Sequence, residues 1–170
     1  EDSFLEVKDI RHPIIERIQT EFEYVANDVK IGNDLNGILL YGCNAVGKSS
    51  LMKAIGINII MAQAGMFVPS SSFIYSPFDY IFTRINNNDN LFKGLSSFAV
   101  EMSELRNILK RSNNKSIILG DELCSGTESI SALSIFSASV VKLASKKINF
   151  IFATHLHELS KIDEINNLNN

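Results

Sequence analysis

The sequence predicts an α/β protein with a mainly parallel sheet flanked by helices, and three observations predict it. Three short runs, "GILLY" (37–41), "KSIILGDE" (115–122) and "INFIFATH" (148–155), are apolar enough for strands covered on both faces. Segments with helical spacing lie between them, and strands that alternate with helices imply a layered, parallel arrangement. A glycine-bearing loop joins the first run to the first long helical segment, as in α/β units that hold a ligand at a helix N-terminus.

Taken in order, residues 1–36 read as a lead-in. Within it "HPIIERIQ" (12–19) suits a short helix with Pro13 in its first turn. "EFEYVAND" (21–28) reads as a strand ending in a turn, "VKI" (29–31) as a second short strand and "NDLNG" (33–37) as a loop. From Lys48 to about Gln63 the residues Leu51, Met52, Ile55, Ile59 and Ile60 recur near helical spacing, and "GMFVPSSS" (65–72) ends that pattern. Residues 73–85 look extended and aromatic, and 86–94 form a polar loop. "SFAVEMSELRNILKR" (97–111) reads as a helix with Ser96 or Ser97 near its N-cap and Glu101 available for a capping interaction. "SISALSIFSASVVKLASKK" (129–147) is a further helix, and "LHELSKI" (156–162) begins another. There is no internal repeat.

The chain has 170 residues, enough for one domain with a real core, and its 45% hydrophobic and 21% charged residues are ordinary for a globular protein. A net charge of −3 argues against a broad face that grips nucleic acid, which would usually be basic. Cys43 and Cys124 lie far apart with no metal-ligand spacing, which suits a reduced, intracellular protein. No apolar run reaches the roughly 20 residues that span a bilayer, so no membrane partner is expected. The ending "EINNLNN" reads as a cut through a longer protein.

"GCNAVGKS" (42–49) matches G-x-x-x-x-G-K-[ST] between a predicted strand and a predicted helix, which defines a P-loop NTPase. Gly42 and Gly47 let successive N–H groups point into one concavity, and the following helix adds its positive end. The loop residues Gly42, Cys43, Asn44, Ala45, Val46, Gly47, Lys48 and Ser49, with Ser50 behind them, are the candidate nucleotide contacts. Lys48 is placed to reach the β and γ phosphates, and the Ser49 hydroxyl to ligate Mg²⁺. Asp121 and Glu122 arrive at the carboxyl end of a buried strand, the edge where open α/β sheets bind ligands. Asp121 is read as a second Mg²⁺ holder and Glu122 as the group that orients or deprotonates the attacking water. His155, at the end of the third run, is read as a sensor of the γ-phosphate. The expected ligands are ATP or ADP with Mg²⁺, and the expected reaction is hydrolysis.

Four blocks, "YGCNAVGKSSLMKAIGINIIMAQAGMFVPS", "FTRINNNDNLFKGLSSFAVEMSEL", "LGDELCSGTES" and "FATHLHEL", together resemble the C-terminal ATPase domain of the MutS family of DNA mismatch-repair proteins. The likeness runs from about Arg11 to Leu159 in the family's order and spacing. It implies an ABC-type ATPase fold over 1–170, with 1–36 on the adenine side, the P-loop core at 37–160 and a shortened tail at 161–170. It also implies that two copies sandwich two nucleotides, with DNA engaged through other domains of a full-length protein. "YVAND" resembles the family's adenine segment, making Tyr24 a stacking residue and Val25 a backbone contact. Asn44 matches the asparagine of the family's phosphate loop. "GLSSF" resembles the family's substitute for the ABC signature, with Ser96 reaching the γ-phosphate across the dimer. Gly126 and Thr127 match the loop that crosses that interface. Three positions depart from the pattern, since Cys43 stands where the family usually has proline, Val46 where it usually has glycine and Cys124 where a small or apolar residue is common.

Other readings stay open at this stage. An ABC-type module of a transporter or chromosome-maintenance protein should carry an LSGGQ-like signature, which "GLSSF" is not. A small-molecule kinase would need an arginine-rich lid, and Arg106 and Arg111 are too few. A nucleotide-binding fragment inactive on its own is the third alternative.

Overall fold

The computed structural model describes residues 2–19, 21, 23–42, 46–85, 97–121 and 129–155. Along them the chain forms β1 (Leu5–Ile10), α1 (Ile15–Ile18), β2 (Asn27–Ile31), β3 (Gly37–Tyr41), α2 (Lys48–Gln63) and β4 (Ser72–Tyr75), then β5 (Tyr80–Arg84), α3 (Ser97–Arg111), β6 (Ser116–Asp121), α4 (Ser129–Ser145) and β7 (Asn149–Thr154). β3, β7, β6 and β5, in that order, make a parallel sheet, and β2, β1 and β4 make a smaller antiparallel one. The expected α/β class with a parallel sheet flanked by helices is what the molecule has. Among the described residues no helix is long and apolar enough to cross a membrane.

Period-two alternation divides the core between the two faces of the parallel sheet. On one face Ile117, Leu119, Ile151 and Ala153 meet Met52, Ile55 and Ile59 of α2, with Leu5, Val7, Ile10, Val29 and Ile31 of the small sheet in the same cluster. On the other face Ile118, Phe150 and Phe152 meet Ile108 of α3 and Phe136, Val140 and Leu143 of α4. The Phe136 and Phe152 rings cross edge to face at 5.5 Å between centroids, a favoured aromatic geometry. A Cβ on Gly37 would run into the Phe150 ring, which explains why β3 opens with the smallest residue. α2 approaches β6 closely at Gly56, where an added Cβ would stand 3.1 Å from Leu119 Cδ1.

Several sequence expectations change here. β1 falls in the expected lead-in, where no strand is expected, yet Leu5, Val7 and Ile10 are fully buried and the strand is central in its sheet. A bulge between Val7 and Ile10, with Asp9 at φ 53°, breaks the alternation that would have marked it. Residues 23–26 are not a strand. The strand starts at Asn27, and the Asn27 side-chain amide donates back to the Val25 carbonyl at 3.1 Å, holding a local turn. "GILLY" is covered on both faces as expected, Ile38 and Leu40 packing on the α2 side and Leu39 on the other, but it is only half-buried because β3 stands at the end of the sheet order. Residues 73–85 split into β4 and β5, which join different sheets. Ile60, counted in the apolar stripe of α2, is exposed.

Buried polar groups tie the lead-in to both sheets. Asn149 donates to the Ser3 carbonyl at 2.7 Å and accepts from Asn36 at 3.0 Å, so β7, the N-terminal segment and the entry to β3 share one junction. Asn58 of α2 donates to the Arg11 carbonyl at 3.0 Å. His12 is buried, and its Nδ1 accepts from the backbone N–H groups of Ile14 and Ile15 at 3.2 and 3.3 Å, capping α1. Burial, with Lys53 nearby, holds the imidazole below its ordinary 6.5. The unfolded chain therefore takes up this proton first. The cap's contribution is complete above about pH 6.5 and is lost as pH falls below it toward the folded value. Between about pH 7.5 and pH 5 the midpoint of thermal unfolding should drop by on the order of 2 °C more in the parent than in His12→Asn, which keeps an acceptor. Melts of the two proteins with parallel pH slopes would remove His12 from this role.

Candidate functional site

β3, β7 and β6 end side by side, with Tyr41 opposite Thr154 and Asp121 opposite Ala153. The sequence expected three strand tips to meet, and the register brings them together at the edge where parallel sheets gather ligands. Gly42 leaves β3, and α2 begins at Lys48. Gly47 is the N-cap of α2 at φ 97°, a left-handed conformation that favours glycine. It offers no side-chain cap, and the first turn of α2 holds no acidic residue. That turn lies at the positive end of a 16-residue helix.

Two contacts define the chemistry. Lys48 Nζ donates to the Gly42 carbonyl at 2.5 Å, which bends the side chain back over the loop. Ser49 Oγ donates to the Asp121 carboxylate, linking the start of α2 to the tip of β6 across 72 positions. A hydroxyl and a carboxylate in contact are hard oxygen donors of the type Mg²⁺ takes. Among the described residues no group of three or more His, Cys, Asp or Glu is gathered.

Beside this pair opens a cavity of about 510 Å³, within the range usual for small-molecule sites. Tyr24 and Val25 line it together with Val46, Gly47, Lys48 and Ser50. Tyr24 is half-buried and Val25 is exposed. Ser49 and Asp121 adjoin the cavity through Lys48 rather than lining it. His155 directly follows β7 and is exposed, next to Thr154, whose strand partner Tyr41 does line the cavity. Cys43, Asn44, Ala45, Ser96, Glu122, Gly126 and Thr127 lie outside the described residues.

The sequence reading missed part of the cavity wall. Ile15, Gln19 and Glu23 come from the lead-in, and Tyr41 from the end of β3. Ile15 opens α1 and Gln19 is its extended C-cap, whose N–H donates to the Ile15 carbonyl at 2.9 Å. Burial pushes the Tyr41 phenol above its usual range, so it faces the cavity region as a neutral hydroxyl.

Fold and site together define an α/β protein whose candidate site sits at the carboxyl edge of a parallel sheet, beside the N-terminus of its first long helix. The chain belongs to the MutS family, for a family model described as MutS domain V matches residues 38–170. It is similar to a mutS homologue of Acanthamoeba polyphaga mimivirus, at 40% identity over 99% of this chain and 18% of that protein. The mitochondrial DNA mismatch repair protein mutS homolog of Sarcophyton glaucum is 40% identical over 94% of this chain and 16% of its own length. The DNA mismatch repair protein MutS of Lactobacillus johnsonii is 41% identical over 91% of this chain and 18% of its own length. The chain thus spans less than a fifth of the length of these relatives.

Proposed function

We propose that the chain is a P-loop ATPase unit of the ABC type, serving as the nucleotide switch of a MutS-like DNA mismatch-repair protein. The Ser49–Asp121 hydrogen bond carries this reading, because it joins the glycine loop and the acidic strand tip that the two halves of such a site require. Family membership supports the repair setting. In the proposal, Tyr24 stacks on the adenine, Val25 meets its edge through the backbone, and residues 42–50 cradle the phosphates. Ser49 and Asp121 would hold Mg²⁺, which supplies charge neutralisation on the phosphate oxygens. Lys48 binds the β and γ phosphates, Glu122 orients and deprotonates water, and His155 senses the γ-phosphate. Ser96 completes the site of a second copy, with Gly126 and Thr127 at the crossing, and DNA is engaged by other parts of a longer protein.

A composite site makes activity depend on pairing. Phosphate release per protein molecule should rise with protein concentration until the dimer saturates, in step with ATP-dependent light scattering. Specific activity that stays flat in a strictly monomeric sample would count against the shared site and leave a self-contained one.

A further inference from the structure

α3 and α4 both cover the face of the parallel sheet that α2 does not, and a groove runs between them. Its cavity is about 620 Å³. Half-buried Met102, Leu109 and Ile135 form its floor, and exposed Ala138 keeps it open on the α4 side. Arg106 and Lys110 from α3 face Lys142 from α4 along the rim. Lys146 donates to the Leu109 carbonyl at 3.3 Å, tying the segment after α4 to α3.

Charge is sorted here in a way the whole chain is not. Net charge is −3, yet residues 105–120 and 129–155 contain no Asp or Glu and hold seven of the sixteen Lys and Arg. The ion pairs among the described residues are Arg11–Glu16, Lys30–Glu6 and Arg84–Glu104, and none engages the rim. Lys110 and Lys142 lie in the last turns of their helices, where they complement the helix dipoles. Arg106 sits more than a turn earlier and gains nothing from that effect. A nucleic-acid backbone would satisfy the rim but lay its polar phosphates over an apolar floor. An amphipathic helix satisfies both, with aliphatic anchors on the floor and carboxylates at the rim.

We infer that the α3–α4 groove is a docking site for an acidic amphipathic helix of a partner protein. The site lies on the sheet face away from α2 and does not depend on the nucleotide reading.

The test uses the 170-residue chain and a labelled synthetic helix of about 18 residues, with leucines at i, i+3 and i+7 and glutamates on either side. Fluorescence anisotropy should give a Kd on the order of 10–100 μM that weakens as salt is raised. Ala138→Phe, which fills the groove from an exposed position, should weaken binding about tenfold or more with an unchanged melting temperature. Lys110→Glu combined with Lys142→Glu should do the same, and should admit a matched peptide carrying lysine in place of glutamate. The inference is overturned if the acidic peptide fails to bind at about 1 mM, or if the lysine peptide binds the parent equally well. It is also overturned if both variants bind unchanged, or if a short DNA duplex takes the rim lysines while the peptide does not.

Discussion

Lys48→Ala is expected to lower ATP affinity by about 10- to 100-fold while the protein stays folded. Lys48 begins α2 and is half-buried, and its ammonium reaches back to the Gly42 carbonyl, so it already spans the mouth of the loop. A charge-assisted hydrogen bond to phosphate is worth roughly 1.5–3 kcal/mol, which converts to that loss in affinity. Stability should change little, because alanine is the best helix former and Lys48 belongs to neither hydrophobic cluster. Titration with a fluorescent nucleotide, paired with a thermal melt, checks both halves. Parent-like affinity in a folded variant would remove Lys48 from the phosphates.

Glu122→Gln should separate binding from turnover. Glutamine keeps the size of glutamate and its hydrogen-bonding reach but cannot accept a proton from water. A positioned general base typically contributes about 10²- to 10⁴-fold, so steady-state phosphate release should fall by at least about 100-fold. Nucleotide affinity should stay within about threefold of the parent, since the Ser49–Asp121 pair and Lys48 are untouched. Hydrolysis at the parent rate would take Glu122 out of the reaction. Loss of binding together with turnover would make it a structural residue at the strand tip.

The parts of the fold that could be read from the sequence are those whose burial is written locally. β6 and β7 are buried along nearly their whole length, so their apolar runs stand out. The limits of α2 fall where the residue spacing placed them. β1 escaped notice because its partners lie elsewhere: Leu5 pairs with Ile31 on one side and Tyr75 on the other. Its half-buried Glu6 and exposed Lys8, and the bulge at Asp9, dilute the signal to that of a charged segment. The candidate site divides the same way. Lys48, Ser49 and Asp121 sit on motifs a few residues long, whereas the wall formed by Ile15, Gln19 and Tyr41 exists only once the lead-in has folded over the mouth of the loop. α1, four residues long, was too short to announce that role.

The junction between β3 and β7 bears on how such a chain matures. Asn36 and Asn149 hydrogen-bond across 113 positions, and each residue of β3 takes its sheet partner from β7. Pairings this distant close late, because a long stretch must surrender its freedom before they form. During synthesis the glycine loop would leave the ribosome well before the strand that braces it. On the proposed function, competence to grip a triphosphate would then wait for β7.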